Sequence, residues 1–260
     1  MMDKGSFAGI FVAVAGIVAG LIIEGGNIGQ ILQPTAALIV FGGTLGAVML
    51  QFPLRTVAAA FRKSVHAFAP PRREHDQLIQ MLVGFANKAR RNGVVSLDAD
   101  LQAISDPFLR QAMMLAVDGT ESNDLRKIMQ VSLDSMADSE ERLPAVFEAA
   151  GGFSPTVGIL GAVLGLIQVM HHLDNMQEVG RGIAVAFVAT VYGVGIANLL
   201  FLPLAGKLRL RIHADYMERE MMLEGVASIL DGMNPRMLEV KLGGFVDEHG
   251  RDRISAERAA

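Results

Sequence analysis

Cysteine is absent from all 260 residues, which excludes disulfides, Cys-based zinc sites and iron–sulfur clusters. A basic stripe is lacking too. The 23 Lys and Arg are outnumbered by 27 Asp and Glu, the net charge is −4, and no nucleic acid is called for. The chain holds no G-x-x-x-x-G-K-[ST], no G-x-S-x-G and no H-E-x-x-H. "GILGAVLG" is glycine-rich, yet no Lys follows it to meet a phosphate. The pair His171-His172 beside Asp174 reads as a surface helix end, and no metal site is expected. These gaps argue against an enzyme.

A further absence is more telling. Four long runs, Phe7 to Ile23, Thr35 to Leu50, Phe153 to Met170 and Ile183 to Leu204, contain no Asp, Glu, Lys, Arg or His. Uncharged runs of roughly 17–25 residues are the length of a helix that crosses the hydrocarbon core. Overall 51% of the chain is hydrophobic and 19% charged, values that fit together only because the charge is segregated from these runs. The first run follows Lys4 as a signal peptide would, but it ends at "LIIEGGN" without a small-residue cleavage site, and it is read as a retained span. The expected fold is an all-α integral membrane protein with four transmembrane helices.

Cations orient it. "EGGNIGQILQ" between spans one and two has no Lys or Arg, and the segment between spans three and four has only Arg181. Arg55, Arg62 and Lys63 follow span two, and Lys207, Arg209 and Arg211 follow span four. The positive-inside rule then places both termini in the cytoplasm. The domains expected are a membrane hairpin (1–50), a large helical cytoplasmic insertion (51–150), a second hairpin (151–204), and a cytoplasmic C-terminal helix and tail (205–260).

The insertion carries Leu78, Ile79, Leu82, Phe85, Ala86 and Ala89 at helical spacing, with Gly93 as the stop. A second stripe of Leu125, Ile128, Met129, Leu133 and Met136 follows an N-cap at Asn123 or Asp124. It runs on towards span three as one long element kinked near Pro144. The closing "DEHGRDRISAERAA" reads as frayed.

Small residues form stripes on the spans. Span one has Gly16 and Gly20, and span two has "GGTLG" from Gly42 to Gly46; both are expected to pack within the chain. Span three lines up Pro155, Gly158, Ala162 and Gly165, and span four lines up Gly182, Ala186, Thr190, Gly193 and Ala197. Small residues let helix backbones approach closely in lipid. Spans three and four offer more such surface than one hairpin needs, so Gly158, Gly165, Ala186, Gly193 and Ala197 are expected to face a helix of another chain. A membrane protein that moves ions by itself places an ionisable group inside the bilayer. This chain has none there, so either it moves nothing or the group arrives on another polypeptide. Thr190 could then line a route; its bland alternative is a bond back to a carbonyl one turn earlier. Tyr192 and Asn198 are expected to hydrogen-bond between helices.

"GGFSPTVGILGAVLGLI" and "GIAVAFVATVYGVGIANLLFLPLAGKL" resemble the paired last spans of the flagellar stator A subunit, the MotA/PomA family. "ALIVFGGTLGAVMLQFP", "RRNGVVSLDAD" and "MNPRMLEVKL" resemble it as well, and "GIAVAFVATVYGVG" is most similar to its MotC branch. The resemblance implies a homo-pentamer in the bacterial inner membrane around two single-span B-subunit helices, each of which brings the missing membrane Asp. Ion flow through that assembly would turn the A ring against a rotor switch protein. Residue by residue, the family's membrane prolines match Pro155 and Pro203, and its last-span hydroxyl matches Thr190. Its rotor-facing Arg and acid match Arg90 and Asp98, with Arg91 an equally basic neighbour. A C-terminal basic position matches Arg236. The family often has Glu where Asp98 stands, so the reach is shorter here. Sodium-type members tend to carry Thr where Ala162 stands. The loss of that hydroxyl points to protons rather than sodium, and no cofactor is implied.

Two other readings stand beside this one. The related ExbB/TolQ energisers of outer-membrane transport are usually three-span proteins with an outside N-terminus. A membrane scaffold without an ion role would use its small stripes only for self-assembly.

Overall fold

The computed structural model describes residues 4–68 and 75–245, and among them there is no strand. Among the described residues, four helices are long and apolar enough to cross a membrane. Two are α1 (Lys4–Ile23) and α2 (Pro34–Gln51). The third is the upper part of α6 (Ser122–His171), a 50-residue helix that holds both Pro144 and Pro155 in its interior. The fourth is α7 (Met176–Ile196), which passes through a wide π turn (Ala197–Phe201) into α8 (Leu202–Leu230). The shorter elements are α3 (Leu54–Ala67), α4 (His75–Asn92), a 3-10 stretch (Val94–Ala103), α5 (Pro107–Val117) and α9 (Pro235–Leu242). α6 opens at Ser122, so Asn123 and Asp124 lie in its first turn and not at its cap. The tail "DEHGRDRISAERAA" lies outside the described residues.

The chain divides into two compact units, residues 1–70 with 140–211 and residues 71–139 with 212–260. This differs from the division at 51, 151 and 205. α3 and the 140–150 stretch of α6 group with the spans because Val57, Ala60 and Ala67 are buried and the Phe61 ring meets Phe147 edge-on at 5.2 Å. Ion pairs of 2.6 Å, Lys63 with Glu140 and Arg209 with Glu148, stand at the charged end of the same unit.

In the span unit, α2 packs on α7 through Ala36, Val40, Val188 and Ala189. The carbon that a side chain would add at Gly43 falls 2.7 Å from Val157. None of the first span's apolar window is buried. Side-chain carbons built at Gly16 and Gly20 meet nothing within 4 Å among the described residues. The expectation that this stripe packs within the chain is therefore corrected.

The second unit is built on a hydrophobic core. Leu82, Met113, Leu125, Met129 and Leu238 are each 0% exposed. Burying one such side chain contributes about 1.5–3 kcal/mol in water, a drive that spans in lipid lack. Asp106 caps α5 by accepting from the amides of Phe108 (2.8 Å) and Leu109 (2.9 Å). Gly93 closes α4 at φ +81°, a backbone setting that other residues resist. The 212–230 part of α8, read from sequence only as a tail helix, supplies Met221, Met222, Leu223 and Val226 to this core. Ile128, read as part of the buried stripe, is 46% exposed.

Candidate functional site

Spans three and four are joined by their glycines. A side-chain carbon at Gly158 would fall 2.9 Å from the Ala189 carbonyl oxygen and 3.2 Å from the Gly193 Cα. At Gly193 it would fall 2.5 Å from the Ser154 carbonyl oxygen, and at Gly165 2.8 Å from the Ala186 nitrogen. Gly182 closes the far end against Val169 and the Gly165 carbonyl. The stripe that was expected to meet another chain's helix is thus spent inside this one, on the hairpin itself. Ala197 is fully buried and Ala186 nearly so. The physical cause is that small residues on both arms of one hairpin let the two backbones meet.

Thr190 lies half-buried at this seam, and its hydroxyl donates to the Ala186 carbonyl at 3.2 Å. The bond back along the helix uses the proton and leaves the oxygen's lone pairs as acceptors. Ala162 is also half-buried. Pro155, half-buried within α6, cannot supply an amide to the ladder. Pro203 has the same effect on the other arm of the hairpin, and the widened turn just before it is bonded from the Leu202 amide to Ala197. Wide turns of this kind relieve a helix that a proline would strain, and they often sit at working sites.

Sequence reading missed one polar pair. Thr44 donates to Ser154 at 3.3 Å, and Ser154 donates to the Ala150 carbonyl at 2.7 Å. Both residues are buried, and together they tie span two to span three. The available signal was a hydroxyl on each span at a small-residue face. Tyr192 reaches back to the first hairpin: its hydroxyl donates to the Ile31 carbonyl at 2.5 Å and accepts from the Gln33 amide at 3.3 Å. Asn198 does otherwise than expected, donating to Val194 in its own helix at 2.9 Å.

In the second unit, Arg90 and Arg91 end α4, Asp98 lies in the 3-10 stretch, and all three are exposed. The buried Leu97 anchors that stretch, and Ser96 donates to the Gly93 carbonyl at 2.7 Å. The ion pair that spans the turn is a different one, Lys88 with Asp100 at 2.6 Å. Arg236 is exposed in the first turn of α9, its amide capped by Asn234. Nearby, Glu224 accepts from both Arg126 and Lys241, which joins α6, α8 and α9. Burial alone would push its carboxyl up; the bonds from Arg126 and Lys241 outweigh burial and hold it below the usual carboxylate range.

Residues 7–93 match the family model described as motility protein A N-terminal, and residues 100–221 match that of the MotA/TolQ/ExbB proton channel family. Motility protein A of Bacillus subtilis is 36% identical over 264 residues, which cover 100% of this chain and 96% of that protein. The chain belongs to the MotA/TolQ/ExbB proton channel family. It is a membrane channel subunit and not an enzyme. Two solved structures are similar throughout. The flagellar MotAB stator complex from Bacillus subtilis aligns with a TM-score of 0.86 at 35% identity, over 97% of this chain and 99% of that one. The MotAB structure from C. jejuni aligns with a TM-score of 0.89 at 32% identity, over 95% and 97%.

Proposed function

We propose that this chain is the A subunit of a flagellar stator, which converts proton-motive force into torque. The observation that carries the reading is the emptiness of the four spans: none holds an Asp, Glu, Lys, Arg or His, so the proton carrier comes from elsewhere. The relatives solved as MotAB complexes support a single-span B subunit as that source. It would bring one membrane Asp per helix, with five A chains around two B chains. Thr190 offers the seam an acceptor oxygen, since its own proton is held by Ala186. Pro155 and Pro203 soften the two helices where a ring must flex around an asymmetric axle. Ala162 provides no oxygen to a sodium shell, while a proton needs only a file of water.

Arg90, Asp98, Arg91 and Arg236 are the proposed contacts to a rotor switch protein. All are exposed, and exposed charge pairs worth about 0–1 kcal/mol release easily at each step. The cation bias around spans two and four supports an inner-membrane protein with both termini in the cytoplasm. The match of residues 7–93 to the motility protein A N-terminal model favours this over an ExbB/TolQ-like energiser.

The test is the mass of the solubilised complex, with the chain expressed alone and with the single-span product of the neighbouring gene. A five-to-two assembly, together with restored swimming in a strain lacking its own stator, is expected. A stable assembly that binds no partner would leave a scaffold.

A further inference from the structure

We propose that the groove between α1 and the start of α8 binds one anionic phospholipid per chain, its acyl chain along the floor and its phosphate at Lys207 and Ser6. The cavity has a volume of about 270 Å³. One wall is Gly9, Ile10 and Ala13 of α1; the other is Leu200, Pro203 and Leu204 around the π turn. Gly9 keeps the first wall low, since a side-chain carbon there would meet nothing within 4 Å among the described residues.

Polarity selects the occupant. The floor is apolar and the mouth carries one cation, Lys207, which a phosphate matches and the uncharged spans of a second copy do not. Water is a poor filler, because Asn198 is the one polar side chain away from the mouth among the described lining residues, and a buried water needs roughly two to four polar partners. An apolar floor against α1, a span with no buried window of its own, is what a lipid tail fills.

The mouth selects the headgroup. Lys207 donates to Ser6 and lies 5.0 Å from the centre of the Phe68 ring, which meets Phe7 at 5.9 Å. A Lys head held by a hydroxyl and rings at a span's end is the snorkelling arrangement of a headgroup layer. Gly5 opens the first span, and Lys207 is the first cation after the last apolar run. That level is the cytoplasmic leaflet by the positive-inside rule, where the anionic lipids lie. No acidic side chain is among the described lining residues. The site stands independently of the torque-generating role.

The full chain, with whatever co-purifies from membranes, would be placed in phosphatidylcholine nanodiscs with and without phosphatidylglycerol. Native mass spectrometry then counts retained lipid. One phosphatidylglycerol per chain and no retained phosphatidylcholine are expected. Lys207→Gln should weaken retention about fivefold, the worth of one Lys at an anionic surface. Lys207→Arg should keep it, and Ala13→Phe should abolish it by filling the floor. Equal retention of the two lipids, or wild-type retention by Ala13→Phe, overturns the proposal. So does a disulfide between chains formed through Gly9→Cys, which would put a second copy on the groove. Should Ala13→Phe fail to assemble, a phosphatidylglycerol with a photoreactive acyl chain reads the site in the wild type. Labelling of the Leu199–Leu204 peptide supports it, and labelling confined to other peptides overturns it.

Discussion

Gly193 faces Gly158 across the third and fourth spans so closely that a side-chain carbon on Gly193 would lie 3.0 Å from the Gly158 Cα and 2.5 Å from the Ser154 carbonyl oxygen. Backbone, unlike a flexible side chain, cannot step aside.

Gly193→Ala is therefore expected to force the hairpin apart, at a cost of about 1–3 kcal/mol. Gly16→Ala, whose added carbon meets nothing within 4 Å among the described residues, should cost far less. Thermal unfolding of the detergent-solubilised chain separates the two, and equal losses would count against the packing described.

Thr190→Val keeps the shape and removes the hydroxyl. The lost bond to Ala186 is worth only about 0.5–1.5 kcal/mol, so insertion and assembly should survive while swimming speed falls by more than half. Thr190→Ser should retain much of the speed. Unimpaired swimming by the Val variant would support the scaffold reading instead.

Arg90 and Asp98 are exposed and Lys88 is paired with Asp100, so their substitutions should part ways. Arg90→Ala with Asp98→Ala should leave stability within about 0.5 kcal/mol and yet lower torque. Lys88→Ala should cost at most about 1 kcal/mol of stability and touch torque less. Tethered-cell rotation alongside chemical denaturation checks both halves.

Glu224 gives a pH signature. Its carboxyl is held below its ordinary value of 4.5 in the folded chain by Arg126 and Lys241. The contribution to stability is therefore complete above the ordinary value and is lost as the pH falls through the lower, folded one. Glu224→Gln should flatten that acid-side loss, as followed by denaturation at a series of pH values. A profile as steep as the wild type's would remove Glu224 as its source.

Ala162 bears on the ion. Swimming of the wild type is expected to be independent of sodium concentration, and Ala162→Thr to introduce a sodium dependence by adding an oxygen. An unchanged requirement in the variant would show that this position does not choose the ion.

The four spans, the missing carboxylate and the family were all legible from residue order. Uncharged length is a property of consecutive residues, and so is the excess of Lys and Arg after spans two and four. The stripe of Leu78, Ile79, Leu82 and Ala86 was legible for the same reason, as one helix folds them onto one face. What occupies a face is another matter. Periodicity shows that Gly158, Gly165 and Gly193 share small surfaces. Only the rotation of the two helices about their axes, set by the turn between them, brings those surfaces together in one chain. In the second unit, the way the chain turns at Gly93 gives Lys88 rather than Arg90 the acidic partner. Packing also leaves Gly16 and Gly20 without a neighbour in the chain among the described residues. In contacts across more than a hundred positions, such as Thr44 with Ser154 or Tyr192 with Ile31, the hydroxyl is legible in the sequence, but its partner is chosen only by packing in three dimensions.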